Sequence, residues 1–347
     1  MSHRIDKTLS LRYARQRVLP QIGAAGQERL RGSRVTLVGI GALGCVQAAF
    51  LARAGVGFLR LVDRDVVETG NLQRQLLFTE DDAREGIPKA EAARLRLKAA
   101  NPTVDLQAVV AHLGRENARE LLSGSDVILD GTDNFDTRFL VNDFSIATGT
   151  PWIYGACVGT VGTLAAVLPG QTACLRCLLS PEPAGDEPTC ETAGILGPAA
   201  GIVGSFQAAA AIRMLLEGTT WRPGGPLRIE AWSGSVVSLP ATSPDPRCPA
   251  CGEKRLEFLE GTRCGSMVIL CGKQAVQFLP HSRVPRDLAA VERTLSRLGK
   301  VRRNSYLLRA SLQGHDLSLF PDGRIIVFGT EDPHRARALV DRYLAGF

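Results

Sequence analysis

The sequence predicts an α/β protein built on a doubly wound, mostly parallel sheet, and three observations predict it. An apolar strand at 34–39 ends in Gly39-Ile40-Gly41-Ala42-Leu43-Gly44, which opens a small-residue helix at 42–54 and is followed by a strand at 58–63. That is a β-α-β unit with its glycine turn between strand and helix. Strands and helices go on alternating to about residue 155, the pattern of a parallel sheet covered on both faces.

The elements follow in order. Residues 87–100 read as a helix, with Pro88 in its first turn and Pro102 just past its end. Residues 104–110 form a strand, 115–123 a helix and 126–130 a strand; 134–148 form a helix and 151–155 a strand. The rhythm then changes. Residues 161–168 read as a strand at the far side of the sheet, and 195–217, rich in glycine and alanine, as a buried helix. Residues 180–188 hold three prolines and a glycine and read as a mobile loop. A hairpin is expected from 227–231 and 235–239 around Trp232-Ser233-Gly234, an antiparallel extension of the sheet, with a linker at 240–246. From about residue 265 a small α+β domain is expected: strand 267–270, helix 287–298, strands 305–312, 316–320 and 324–328, and helix 332–344. Pro321-Asp322-Gly323 marks a tight turn between the last two strands. The expected domains are therefore 1–255 and 265–347.

Composition bounds the function. The chain has 347 residues, 45% of them apolar, enough for one large core and a small second one. No apolar run reads as long enough to span a bilayer, and residues 1–11 lack an apolar signal-peptide centre. The expectation is a cytoplasmic protein without membrane attachment. The net charge of +6 is spread along the chain, which is weak evidence for nucleic acid; an acidic protein partner or a nucleotide explains it equally well, and no nucleic-acid partner is expected.

The chemistry gathers around the first glycine motif. Gly39, Gly41 and Gly44 let backbone N–H groups approach a phosphate at a helix N-terminus. Asp63 lies nineteen residues past Gly44, at the end of the next strand, where a carboxylate receives ribose hydroxyls. Glycines and an aspartate would suit NAD as well as ATP. The cations choose between them: Arg74, within Asn71-Leu72-Gln73-Arg74-Gln75, and Lys89, after Pro88, can neutralise phosphates. Asp133, in Asp130-Gly131-Thr132-Asp133-Asn134 at the end of the fourth strand, can hold Mg²⁺ through its oxygens, or cap the helix that follows.

Nine cysteines include two CxxC pairs, Cys174/Cys177 and Cys248/Cys251, with seventy residues between them. In a chain of this kind the pattern favours one closed tetrahedral Zn²⁺ site over disulfides or redox pairs. Cys45, Cys157, Cys190, Cys264 and Cys271 remain. Cys190 sits beside the proline-rich loop, a setting that suits a reactive thiolate.

These pieces together resemble the ThiF/MoeB/HesA family, bacterial relatives of the adenylation domain of ubiquitin-activating enzyme. The resemblance rests on Arg12-Tyr13-Ala14-Arg15-Gln16, the glycine motif, Asp63-Arg64-Asp65 with Asn71 to Gln75, Pro88-Lys89, and Thr132-Asp133-Asn134. The two CxxC pairs and Thr189-Cys190-Glu191-Thr192-Ala193-Gly194 complete it. It implies a Rossmann-like fold with a structural zinc. It also implies an ATP·Mg²⁺-dependent adenylyltransferase that converts the C-terminal Gly-Gly carboxylate of a ubiquitin-like sulfur-carrier protein (ThiS or MoaD type) to an acyl-adenylate. The sulfur would serve molybdopterin, thiamine or a related product. Carried over by position, Gly39, Gly41, Ala42, Leu43, Gly44, Asp63, Asp65, Gln75 and Asn134 would line the nucleotide. Asn71, Arg74 and Lys89 would grip its phosphates, and Asp133 would bind Mg²⁺. Arg15 would reach the triphosphate from the second subunit of a homodimer, and Cys190 would capture the activated carboxyl or take part in sulfur transfer. A sulfurtransferase or cysteine desulfurase is an expected further partner. Ala42 departs from the pattern, standing where many members carry a third glycine. An NAD-dependent oxidoreductase, or a non-catalytic scaffold of the same fold, is the alternative. Residues 265–347 lie beyond the minimal core, and Cys264-Gly265-Ser266 and Cys271-Gly272-Lys273 do not resemble the persulfide loop of a rhodanese domain.

Overall fold

A computed structural model describes residues 11–179, 193–262, 267–270, 274–278 and 287–344. Residues 180–188, expected to be a loop, and Cys190 lie outside the described residues, as do Cys264 and Cys271. The chain divides into two compact units, Met1–Thr262 and Arg263–Phe347.

The first unit is built on one sheet. Its strands are β1 (Arg34–Val38), β2 (Phe58–Asp63), β3 (Asp105–Val110), β4 (Val127–Asp130), β5 (Trp152–Val158), β6 (Val161–Val167), β7 (Leu227–Glu230) and β8 (Ser235–Ser238). The eight strands lie in the order β3-β2-β1-β4-β5-β6-β7-β8. Strands β3-β2-β1-β4-β5 run parallel and β5-β6-β7-β8 antiparallel. The parallel strands are nearly all apolar, because helices cover both faces. On one face Leu37, Leu59, Leu61 and Leu129 pack with Leu51, Leu97 and Met214. On the other, Val38, Val62 and Ile128 pack with Leu122, Phe139, Phe144 and Phe258.

The chain leaves β1 toward β2 on one side and returns to β4 on the other. The loops after β1 and β4 therefore part company at this boundary, where open α/β sheets bind ligands. Helix Ala42–Ala54 starts from the loop after β1 and is stopped by Gly55 in the left-handed conformation, φ 83°. Helix Lys89–Ala100 starts slightly later than the sequence suggests, with Pro88 as its N-cap.

Helix Gly197–Glu217 departs from one expectation. By length and composition it is apolar enough to cross a membrane, although no run reads that way in the sequence alone. It packs instead as a core helix. Gln207, fully buried, donates to the Asp130 and Ile153 carbonyls at 2.8 and 3.2 Å, and its side-chain oxygen accepts from Gln47 at 2.6 Å. Gly155 and Gly162 let it lie close to the sheet, since a Cβ at either would meet Gln207 or Val203 within 2.2 Å. Its outer side leaves Ile202 and Phe206 exposed.

The second unit is built on an antiparallel sheet. Its strands are β9 (Met267–Leu270), β10 (Ala275–Phe278), β11 (Gly299–Arg303), β12 (Leu308–Leu312), β13 (His315–Leu319) and β14 (Ile325–Phe328). The six strands lie in the order β11-β12-β13-β14-β10-β9. Helices Leu288–Leu295 and Pro333–Leu344 bury Val291, Leu295, Leu339 and Val340 against Val276, Leu308, Ala310, Leu312 and Val327. The sequence reading misses β10 and β11. Strand β10 is only four residues long, and Gln277 interrupts its apolar run. Strand β11, Gly-Lys-Val-Arg-Arg, is an edge strand exposed over most of its length, so it carries no alternation to read. The strand expected from 305 begins at Leu308, because Asn304 accepts the Tyr306 and Leu307 amides at 2.8 and 2.9 Å in a side-chain turn.

Candidate active site

The loops after β1 and β4 are knitted together by glycines. Gly39 has φ 86°, and a Cβ there would meet the Gly131 backbone at 2.6 Å. A Cβ on Gly44 would fall 2.1 Å from the Gly39 carbonyl, and one on Gly131 2.3 Å from the same oxygen. Gly41 is different: its nearest atoms would be the Gly131 carbonyl at 3.8 Å and the Gln75 amide at 3.9 Å. Gly39, Gly44 and Gly131 thus serve backbone packing, while Gly41 has room for a methyl group without a clash. The first-turn amides that follow, from Ala42, Leu43 and Gly44, have no carbonyl one turn back within the helix.

Asp63 shapes this loop. Its Oδ2 accepts the Ile40 N–H at 2.6 Å and its Oδ1 the Asp65 N–H at 2.7 Å. A carboxylate has about four lone-pair positions, so about two stay available for ribose hydroxyls. Burial pushes the Asp63 carboxyl up, and Lys89 opposes that shift. Lys89 is itself buried and donates to Asp65 at 3.1 Å. Burial works against its charge, but Asp65 and Asp63, helped by Asp133, outweigh it and hold the ammonium above its ordinary value.

Two of the phosphate-gripping candidates, Asn71 and Arg74, come from one turn, and Lys89 from the start of helix Lys89–Ala100. Asn71 is buried, and its Oδ1 accepts the Glu68 N–H at 3.3 Å. Arg74 is half-buried and donates to the Gly70 carbonyl at 2.9 Å. Gln75 is buried with its Oε1 unpaired, and its side-chain amide nitrogen is the side-chain atom that lies nearest Gly41. Asp133 is exposed. It is not the cap of helix Phe135–Thr148: Asn134 is, accepting the Thr137 N–H at 3.0 Å and donating to Asp133 Oδ1 at 3.2 Å.

Behind Asp133 lies a buried pair that the sequence reading misses. Arg138 Nε donates to Asp130 Oδ2 at 3.2 Å, and its Nη2 reaches the Thr132 carbonyl at 2.7 Å and the Gly155 carbonyl at 3.4 Å. Thr132 in turn donates its amide and hydroxyl to Asp130 Oδ1 at 2.8 and 2.6 Å. The signal available in the sequence is an arginine within the apolar 135–148 helix pattern, eight residues past a strand-end aspartate.

Arg15 is not brought to this site within the chain. It is exposed, on helix Ala14–Arg17, whose Gln16 donates to the Ala54 carbonyl at 2.9 Å. That is the far end of helix Ala42–Ala54, about 20 Å from its start at about 1.5 Å per residue.

The four CxxC cysteines converge, their Sγ atoms all within 4.8 Å of one another. Sγ separations of 3.8 Å (Cys174–Cys177), 3.6 Å (Cys174–Cys248) and 3.4 Å (Cys177–Cys251) fit a tetrahedron of ~2.3 Å zinc–sulfur bonds, whose edge is about 3.8 Å. Burial pushes the Cys251 thiol up to about 11, whereas at Cys248 burial is outweighed by hydrogen bonds from the Cys251 amide, Cys177 and the Ala250 amide, which hold that thiol below its ordinary value. Helix Phe135–Thr148 backs the cluster: Asn142 accepts the Leu175 N–H at 2.8 Å and Asp143 the Phe258 N–H at 2.9 Å. Cys45 is buried against the nucleotide loop, and burial pushes its thiol up to about 12, which makes it inert. Cys157 is buried as well.

A ThiF family profile matches residues 13–250. The sulfur carrier protein ThiS adenylyltransferase of Bacillus subtilis is 40% identical over 336 residues, 96% of this chain and 99% of its own length. The SAMP-activating enzyme E1 of Haloferax volcanii is 40% identical over 263 residues, covering 75% of this chain and 95% of that protein. In fold, the chain is similar to the crystal structure of E. coli MccB with ATP, with a TM-score of 0.60 and 23% identity over 70% of this chain and 74% of the other.

Proposed function

We infer that this chain, which belongs to the ThiF family, is an ATP-dependent adenylyltransferase that activates the C-terminal glycine carboxylate of a ubiquitin-like sulfur-carrier protein. The observation that carries the reading is one cluster at the sheet switch point: Lys89 donates to Asp65 and is held charged by Asp65, Asp63 and Asp133, while Asp63 accepts the Ile40 amide of the glycine loop. A carboxylate oxygen of the carrier attacks the α-phosphorus of ATP, and the bond to the bridging oxygen of the leaving pyrophosphate breaks. The attacking group is already an anion, so no general base is needed. Positioning and charge neutralisation do the work. Gly41 and the helix amides admit the phosphates, Asp63 receives the ribose, and Asn71, Arg74 and Lys89 meet the triphosphate. Asp133 would hold Mg²⁺, which supplies further neutralisation of phosphate charge when bound.

The carrier is assigned to the ThiS class, because the Bacillus relative matches this chain over almost the whole length of both. Sulfur then comes from a cysteine desulfurase or sulfurtransferase. One Zn²⁺ is assigned to Cys174, Cys177, Cys248 and Cys251, in a structural role. A homodimer is the expected assembly. Arg15 can serve the nucleotide only from a second copy, and Phe50, Leu76, Ile202 and Phe206 leave an exposed apolar groove next to the Arg74–Gln75 turn. The cytoplasm is the assigned compartment.

The test is ATP–pyrophosphate exchange with and without a small carrier ending in Gly-Gly. Carrier-dependent exchange is expected, with Arg74→Ala lowering it by ~10²-fold or more. Tight NAD binding without carrier-dependent exchange would overturn the assignment. Cys190→Ser is expected to keep exchange and to lose covalent capture or sulfur transfer. Unchanged thiocarboxylate formation would remove Cys190 from the chemistry.

A further inference from the structure

We propose that Arg138 is a positioning residue that sets the metal-holding carboxylate of Asp133. The inference rests on the adenylyltransferase reading above. Arg138 is buried, and its hydrogen-bond partners are Asp130, Thr132 and Gly155. The Thr132 carbonyl it holds at 2.7 Å belongs to the peptide that leads directly into Asp133. Fixing that carbonyl fixes the peptide plane and so the place of the Asp133 Cα, leaving φ as the one backbone rotation that aims its side chain. Asp130 grips the same turn from inside through the Thr132 amide and hydroxyl, at 2.8 and 2.6 Å. Asn134 braces Asp133 from the helix side at 3.2 Å. The 131–134 turn also abuts the glycine loop through Gly131 and Gly39, so it cannot yield toward the nucleotide.

Asp130 neutralises the buried Arg138 charge, while the arginine's remaining N–H groups need acceptors of their own. The second arm, to Thr132, is not needed for neutralisation. Lysine offers a point charge in place of the planar fork, so Arg138→Lys keeps the pair with Asp130 and gives up the second fixed donor.

The experiment titrates Mg²⁺ at saturating ATP analogue and reads the thermal shift of the intact protein, with pyrophosphate exchange as a parallel readout. For Arg138→Lys the half-saturating Mg²⁺ is expected to rise about tenfold, while the maximal exchange rate at high Mg²⁺ stays within about threefold. Leu97→Ala, a core change remote from the turn, serves as the control and is expected to lower Tm without moving the Mg²⁺ midpoint. If Arg138→Lys does not fold, Thr132→Val removes the hydroxyl bond to Asp130 from the same turn and is expected to raise the midpoint in the same way. A Mg²⁺ midpoint equal to wild type in the folded variant overturns the proposal. Absence of exchange and of any Mg²⁺-dependent shift in the wild type would instead overturn the adenylyltransferase reading on which it rests.

Discussion

Gly41 and Gly44 sit three residues apart, and a methyl group would be received differently at each. At Gly44 it meets a backbone oxygen at 2.1 Å, whereas at Gly41 the nearest atoms are at 3.8 and 3.9 Å. Gly44→Ala is expected to destabilise the protein by about 1–3 kcal/mol or more through overpacking. Gly41→Ala is expected to leave Tm within a few degrees and to weaken ATP binding, read by calorimetry. Equal loss of Tm in both variants would contradict this division of roles. Asp143 offers a second test. Burial pushes its carboxyl up to about 6 from 3.8, against the pull of the Phe258 and Leu259 amides. The fold therefore prefers the protonated acid. That preference stabilises fully below about pH 4 and is lost as pH rises through about 6, a change of about 3 kcal/mol at most. Asp143→Asn keeps an acceptor for the Phe258 N–H and has no carboxyl proton to lose. Its stability relative to wild type is expected to grow between about pH 4 and 6; parallel Tm profiles would exclude the effect. At this scale Asp63, Lys89 and Asp133 were legible as strand-end and helix-start charges. Asp63's hold on the Ile40 amide was not, because it depends on the backbone direction that Gly39 imposes.

Among elements, the cysteine cluster is the clearest case of a pattern legible in sequence, since CxxC spacing survives any uncertainty about the fold around it. What spacing could not tell is that helix Phe135–Thr148 supports the cluster through Asn142 and Asp143. Chelation of the assigned zinc, or Cys248→Ser, is expected to lower Tm. A loss of ~4 kcal/mol corresponds to about 8–16 °C for a unit of this size. Wild-type protein with no bound metal by elemental analysis would contradict the assignment. The long helix Gly197–Glu217 was legible as an element. Its glycine and alanine content read as a buried helix, and the buried Gln207 bonded to two strands shows how it is held there. Strand β11 was hidden for the opposite reason, since an exposed edge with Lys300, Arg302 and Arg303 carries the charges of a loop.

For the whole molecule, each unit carries its own apolar core, and the candidate nucleotide and zinc residues all fall in Met1–Thr262. The Haloferax relative uses 95% of its length to match 75% of this chain. A chain ending at Thr262 is therefore expected to fold, bind ATP and keep carrier-dependent exchange within about tenfold; loss of ATP binding would assign the second unit a part in the site. The double winding of the sheet was legible from alternating elements. The order of strands was not, because it is set by contacts between segments far apart in sequence. The antiparallel pairing of β6 with β7, together with the cysteines at 174–177 and 248–251, has a topological consequence. With the assigned zinc bound, the stretch between them would be a closed circuit, anchored by the helix around Gln207. A single cut anywhere in that circuit would release no fragment. Protein nicked there should elute as one particle in native buffer and come apart only when denatured, and new chain ends should be better tolerated inside the circuit than at the glycine loop.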